Sequence, residues 1–177
     1  MNQNKISSKL LPYTKIDGIR TVKDSVIKGL FQRTVEEGLD KIVFYEGTVQ
    51  DENTFLQVMK NSMSWLFMKD DKIIGYTWLN RFENKTARHH FCVFKDHWGQ
   101  LEELGKYTIQ RLASLKSGDG YVFDLLTGFI PAWNERAIKF ALKCGGKSHG
   151  VIPNAIWNHE KQQSEDAVFI YYTRSEP

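Results

Sequence analysis

The stretch from Trp65 to Phe94 constrains this chain more than any other, because three strand-length apolar runs follow one another across two turns too short to hold a further element. Trp65-Leu66-Phe67-Met68 leads through Lys69-Asp70-Asp71-Lys72 into residues 73–82, and Glu83-Asn84-Lys85-Thr86 leads into residues 87–94. Apolar runs bounded by polar turn residues read as strands, and strands joined so tightly form an antiparallel meander. A meander needs a layer packed on it, and the preceding sequence supplies one. Residues 22–39 place Val26, Ile27, Leu30, Phe31 and Val35 on one helical face, with Gly38 as a stop. Asp51 is a suitable cap for a second, shorter helix carrying Phe55, Met59 and Met63.

Beyond the meander the pattern changes to alternating helices and strands. Leu101, Leu104, Thr108, Leu112 and Leu115 mark an amphipathic helix between Trp98 and Lys116, which Ser117-Gly118-Asp119-Gly120 terminates. Residues 121–130 carry few charges and read as a strand buried on both faces, so the strand from Ala87, this helix and this strand form a right-handed parallel crossover. Ala137, Phe140, Ala141 and Cys144 form the stripe of a further helix that stops at Gly145-Gly146. Two strands, residues 147–157 and 167–173, close the fold around a polar segment over residues 158–166. The expected class is α/β (α+β), with one domain spanning residues 1–177.

Composition removes several function classes. With 41% apolar and 25% charged residues, 13 Gly and 4 Pro, the chain fits neither a collagenous, a disulfide-dense nor a disordered class. A net charge of +3 is too small and too scattered for a dedicated nucleic-acid binder, and the five tryptophans fall on different elements rather than on one stacking platform. No apolar run approaches the ~18 residues of a membrane span, and residues 1–12 hold only Leu10-Leu11 as an apolar centre, so neither a membrane anchor nor a secretory signal is expected and the cytoplasm is the expected compartment. Cys92 and Cys144 lie far apart without a Cys-x-x-Cys pairing and read as small buried hydrophobes.

Two sharp-looking motifs fail on context. Gly146-Lys147-Ser148-His149-Gly150 has the spacing of a hydrolase nucleophile elbow, which needs a strand before and a helix after; here the order is reversed. His89, His90, Cys92 and His97 suggest a metal site, but strand alternation sends His89 and Cys92 to opposite faces, so no metal is expected. The promising segment is the start of the helix after Gly99. A crossover between parallel strands gathers unpaired N–H groups at a helix N-terminus, where residues 99–105 with Gln100 and Lys106 could receive phosphate.

Asn134-Glu135-Arg136-Ala137, opening a helix that ends at Gly145, together with this order of elements, resembles the GNAT superfamily of N-acetyltransferases. The family's Arg/Gln-x-x-Gly-x-Gly/Ala pyrophosphate signature is present only in part: Leu101 and Glu103 stand where glycines would be, and a shifted register over residues 102–107 recovers Gly105 alone. The resemblance implies a GNAT-like mixed, mostly antiparallel central sheet of about seven strands flanked by about four helices. It also implies acetyl-CoA as co-substrate without a metal, a small-molecule, peptide or protein amine as acceptor, no nucleic-acid or membrane partner, and leaves a homodimer open. Cofactor contacts would come from Phe91, Val93 and Phe94 on the strand and from Gly99, Gln100, Gly105 and Lys106 on the loop and helix. Asn134, Ala137 and Phe140 would supply the rest beside the pantetheine arm.

Direct attack of an amine on the thioester calls for a base, and His90 is the first candidate, with Asp124 and Glu83 behind it. Phe91 and its neighbours would present main-chain N–H groups to the thioester oxygen. The family often places a tyrosine seven positions after the asparagine to protonate the departing thiolate; here that position is Ala141, with Cys144 and Tyr107 as stand-ins. These departures frame the competing expectation, a GNAT-like domain that binds CoA or a protein partner without catalysis.

Overall fold

The structure, a computed structural model, describes residues 8–99 and 101–174. The first described strand is β1 (Ser8–Pro12), followed by a small hairpin of β2 (Lys15–Ile16) and β3 (Ile19–Arg20), then α1 (Asp24–Glu36), α2 (Asp40–Val43) and α3 (Glu52–Asn61). The meander follows as β4 (Met63–Lys69), β5 (Lys72–Glu83) and β6 (Thr86–Val93). A 3-10 turn over Lys95–His97 leads to α4 (Glu102–Ala113), a second small hairpin of β7 (Lys116–Ser117) and β8 (Gly120–Tyr121), β9 (Leu125–Pro131), α5 (Glu135–Lys143), β10 (Lys147–Asn158) and β11 (Gln163–Thr173). The seven-stranded sheet runs β1-β4-β5-β6-β9-β11-β10, and only β6 and β9 are parallel neighbours. This is the mixed, mostly antiparallel sheet of about seven strands that the resemblance implies. Among the described residues no helix is long and apolar enough to cross a membrane.

Strand alternation divides the core into two layers. Tyr76 and Trp78 of β5 and Cys92 of β6 turn to the α1–α3 face, where they meet Ile27, Phe55 and Met59. Leu79, Leu126 and Ile170 turn to the opposite face and meet Ile109 and Leu112 of α4 and Ala141 of α5. Phe55 is fully buried, and its ring lies 5.0 Å from that of Tyr76, 5.6 Å from Phe44 and 5.9 Å from Phe31. Burying one such ring contributes about 1.5–3 kcal/mol, so the four-residue spacing of Phe55 and Met59 is what fixes α3 on the sheet. Asp51 caps that helix as expected, its Oδ1 accepting the N–H groups of Asn53 and Thr54 at 2.9 and 2.8 Å.

Four boundaries differ from the sequence expectation, each for a local reason. β1 escapes detection because Leu10-Leu11 is too short a run; it becomes a strand by pairing Leu10 with Phe67 and Leu11 with Leu66 on β4. Met63 starts β4 rather than ending α3, since Ser62 is already extended. Only Leu125 onward belongs to β9, because residues 122–124 turn so that Phe123 is buried and the N–H groups of Asp124 and Leu125 both reach the Lys85 carbonyl. The polar segment 158–166 is mostly strand: Asn158 pairs with Gln163 and Trp157 with Ser164, leaving residues 159–162 as the turn.

Candidate active site

The parallel ladder between β6 and β9 holds for three pairs, Thr86↔Leu125, Ala87↔Leu126 and Arg88↔Thr127, and then the strands part. Each stays paired on its outer side, β6 with β5 as far as Val93 and β9 with β11 as far as Pro131. Three main-chain carbonyls beyond the last ladder pair have other partners. The Phe129 carbonyl accepts the Tyr45 hydroxyl at 3.3 Å, the Val93 carbonyl accepts Trp98 Nε1–H at 2.8 Å, and the Pro131 carbonyl accepts the Asn134 N–H at 2.8 Å. Pro131 itself has no N–H to give. Phe94 N–H donates to the Ile74 carbonyl, so the even-numbered residues of β6 bond towards β5. The odd-numbered residues therefore aim their N–H groups at the opening, and those of Phe91 and Val93 lie beyond the last ladder pair.

The parted strands enclose a cleft of about 400 Å³. It is lined from both faces of the sheet. On the α4–α5 side its walls include Phe91, Val93, Leu101, Asn134, Ala137 and Phe140; on the α1–α2 side they include Leu39, Ile42, Tyr45, Trp78 and His90. Leu101 is one of the lining residues, and Glu103 points outward with its side chain 73% exposed.

Of the residues singled out from the sequence, His90, Phe91, Val93, Gly99, Asn134, Ala137 and Phe140 come together on this cleft. The others do not. Phe94 is fully buried on the α1–α3 side, with the Arg33 guanidinium over its ring at 3.9 Å. Gly105 is where α4 and α5 touch: a Cβ there would sit 2.2 Å from Cys144 Sγ and 2.8 Å from Phe140 Cζ. Lys106 is held by Glu102 at 2.7 Å and Glu103 at 3.5 Å. Asp124 lies at the far end of β9, bound to Arg174 at 2.8 Å and near Lys85 at 3.9 Å. Glu83 ends β5 opposite Thr86, Tyr107 is 40% exposed on α4, and burial pushes the Cys144 thiol up to about 12. Gln100 lies outside the described residues.

The end of the cleft where the sequence places phosphate binding differs from the expectation in its charges. Gly99 takes a positive φ of 90° with open space where a Cβ would be, and α4 begins three residues later. Glu102 and Glu103 occupy the first turn, where carboxylates themselves satisfy the positive end of a helix. Cations reach the cleft from α5 instead: Lys143 lines it, and Arg136 does so with its guanidinium over the Trp98 ring at 4.3 Å. Both lie inside the Asn134–Gly145 motif, seven residues apart and hence on one helical face, which is the signal that would have found them. Asn134 caps α5 by accepting the Ala137 N–H at 3.2 Å. Tyr172 of β11 also lines the cleft and reaches the Ala141 carbonyl at 3.5 Å, so a tyrosine stands beside the helix position that lacks one.

Alternation sends the two histidines of β6 to opposite faces. His89 Nε2 lies 2.8 Å from Thr77 Oγ1, and burial pushes its pKa down to about 4. His90 stacks on Trp78 at 4.6 Å with the rings within 4° of parallel, and its Nε2 lies 2.9 Å from Asn80 Oδ1. Burial, with the charges of Arg88 and Arg81 acting in the same direction, pushes His90 down to about 3. With Asn80 Oδ1 as acceptor, Nε2 carries the proton and Nδ1 is the ring's acceptor. Among the described residues no group of three or more histidine, cysteine or carboxylate side chains is placed to hold a metal ion.

No protein-family profile and no curated protein sequence matches the chain. Solved structures do. The microcin C7 self-immunity acetyltransferase, solved with acetyl-CoA and AMP, is 18% identical with a TM-score of 0.68 over 96% of this chain and 93% of that one. Spermidine N-acetyltransferase from Vibrio cholerae, solved with CoA and spermine, is 11% identical with a TM-score of 0.68 over 94% and 95%. An N-acetyltransferase from Staphylococcus aureus is 16% identical with a TM-score of 0.64 over 94% and 98%. At these identities the likeness is one of fold, and it extends over almost the whole of each chain.

Proposed function

We propose that this chain, which has the GNAT fold, transfers an acetyl group from acetyl-CoA to an amine. The observation that carries this reading is the parting of β6 from β9 after Arg88 and Thr127, which leaves main-chain donors facing a cleft lined from both faces of the sheet. The residues present suit acetyl-CoA. Phe91, Val93, Ala137 and Phe140 offer an apolar slot for the pantetheine arm, and Gly99, Arg136 and Lys143 offer open backbone and positive charge for the diphosphate. When bound, acetyl-CoA supplies a thioester carbonyl as electrophile and a thiolate as leaving group. A site for CoA alone needs walls on the α4–α5 side; the further walls on the α1–α2 side favour transfer.

The chain's own part is to hold, orient and desolvate. The N–H groups of Phe91 and Val93, rigid within a paired strand, serve as oxyanion donors. An alkylammonium has a pKa of about 10 and must lose a proton before attack. His90, down at about 3, is a weak base for that task. Removal of the amine from water does much of the same work, since burial beside Trp78, Tyr45 and Phe129 disfavours the ammonium form. His90 then acts as a neutral acceptor that positions the amine. Acetyl-CoA incubated with primary amines is expected to yield free thiol and N-acetyl product. CoA at about 100 times its dissociation constant is expected to stabilise the chain by about 2.7 kcal/mol, read as a rise in melting temperature. A flat melting temperature up to millimolar CoA would refute the assignment.

The depressed pKa of His90 sets the pH behaviour. His90→Gln is expected to lower kcat by about tenfold, the scale of one hydrogen bond, and by the same factor at pH 6 and pH 8. Stability carries the complementary sign. His89 at about 4 and His90 at about 3 titrate below the ordinary histidine value of 6.5, so the unfolded chain binds more protons between those limits and stability falls as pH drops through that window. His90→Gln should make that acid-side slope of melting temperature against pH shallower. A wild-type rate that loses activity with a midpoint near pH 6.5, abolished by the substitution, would instead make His90 the base.

A further inference from the structure

Two hydrogen-bond donors on the α1–α2 face lack an acceptor among the described residues. Trp78 is 3% exposed, lines the cleft, and its Nε1 is buried without a partner. Buried donors are almost always satisfied, so an orphan in a cleft wall points to what the cleft takes. Arg88 is half-buried and lies over the ring of Phe129, itself a cleft residue, with the guanidinium carbon 4.7 Å from the ring centre. No carboxylate among the described residues pairs with Arg88, whereas the neighbouring Arg81 is engaged by Glu46 at 3.5 Å. Pairing β5 with β6 sets Asn80 opposite Arg88 and Trp78 opposite His90, so the indole and the guanidinium project from the same face, one strand pair apart.

The charges here exclude one kind of acceptor and suit another. Glu102 is the one carboxylate residue among those lining the cleft, and it belongs to α4, on the opposite face. The charges of Arg88 and Arg81 act on His90 in the cleft wall, with only Glu46, already engaged, to offset them, which disfavours a polyamine there. The surrounding walls, Leu39, Ile42, Val43, Tyr45 and Phe129, are apolar and partly aromatic. A carboxylate matches both unpartnered donors, because guanidinium recognises it through two parallel hydrogen bonds and an indole N–H can add a further one.

We infer that the acceptor is an amine bearing a carboxylate on an apolar, ring-sized body, the carboxylate bound by Arg88 and Trp78 and the body held against Tyr45 and Phe129. The inference rests on the acetyl-transfer reading and names its substrate class. The amine lone pair forms a bond to the thioester carbon, the carbon–sulfur bond breaks, the nitrogen gives up its proton and CoA leaves as the thiol; the carboxylate is unchanged.

The test uses the full chain, acetyl-CoA and matched pairs: phenylalanine against phenethylamine, tryptophan against tryptamine, and spermidine as the polycation. The amino acid of each pair is expected to have a kcat/KM about 10- to 100-fold above its decarboxylated partner, the range for hydrogen bonds to a charged group. Arg88→Gln is expected to bring that ratio near one through the KM of the amino acid, and Arg88→Lys to recover part of it. Equal use of both members of each pair, a preference for spermidine, or an Arg88→Gln loss shared equally by both members would overturn the inference. Should Arg88→Gln fail to fold, the wild-type ratios decide alone. Melting with CoA separates the two levels: no rise with CoA removes the transfer reading and this inference with it. A normal rise, without further stabilisation by phenylalanine or tryptophan over their amines, removes only the inference.

Discussion

Gly128→Phe is expected to abolish CoA binding while leaving the fold intact. Gly128 lies one residue past the last ladder pair and lines the cleft. By alternation its Cβ direction follows Leu126 and Ile130, which pack on the α4–α5 side, the side assigned above to the pantetheine arm. A Cβ there would meet only the His89 carbonyl, at 3.7 Å, an ordinary contact. Further atoms of the ring would extend into the cleft rather than into packed core. The free chain should therefore melt within about 4 °C of wild type, the equivalent of roughly 1 kcal/mol at this size. The melting rise caused by CoA should vanish, and thiol release should drop by more than about 100-fold, since the ring would take the volume and contacts meant for the ligand. Gly128→Ala, whose methyl group fits, should bind CoA. Should Gly128→Phe retain CoA affinity within a few-fold of wild type, the arm does not run between β6 and β9.

What the sequence made legible was periodic and local. Alternation in β6 separates His89 from His90 on the sequence alone, and the structure keeps them on opposite faces, bonded to Thr77 and stacked on Trp78 respectively. Asn134 advertises a helix start, and it caps one. Illegible features depended on partners distant in the chain. Glu165 looks like part of a polar loop, yet it accepts hydrogen bonds from Trp133 at 2.7 Å, Asn158 at 2.9 Å and Lys161 at 2.6 Å, which anchor β11 while holding its carboxyl down at about 2. Lys106 looks like a phosphate ligand until Glu102 is seen to hold it, and Asp124 looks like a base until Arg174, 50 residues on, is seen beside it. Tyr45 and Arg88 carry no motif at all; the place of Tyr45 on the cleft and of Arg88 over its neighbour Phe129 follows from where β6 and β9 part, and pairwise register is not written in residue periodicity.

Gly105 is the position where the family pattern and the packing diverge, and it yields the second large effect. Read as a remnant of a phosphate loop, it should tolerate alanine with a gain of about 1 kcal/mol in helix propensity. The structure gives the opposite sign. The added methyl would lie 2.2 Å from Cys144 Sγ and 2.8 Å from Phe140 Cζ, so α4 and α5 must separate or the two side chains must leave their places. Overpacking of this kind costs about 1–3 kcal/mol, and Gly105→Leu should exceed that range. Net of propensity, Gly105→Ala is expected to lower the melting temperature by up to about 8 °C, and Gly105→Leu by well over that. Binding should suffer in step, because Leu101 and Glu102 beside the start of α4 and Ala137 and Phe140 on α5 line the same cleft. Relief should come from the partner: in Gly105→Ala/Cys144→Ala the stability loss should be smaller than the two single losses added, by about 1 kcal/mol or more. Strict additivity in that cycle would mean that the helices are not in contact through Gly105, and that its absent side chain serves the ligand rather than the seam between α4 and α5.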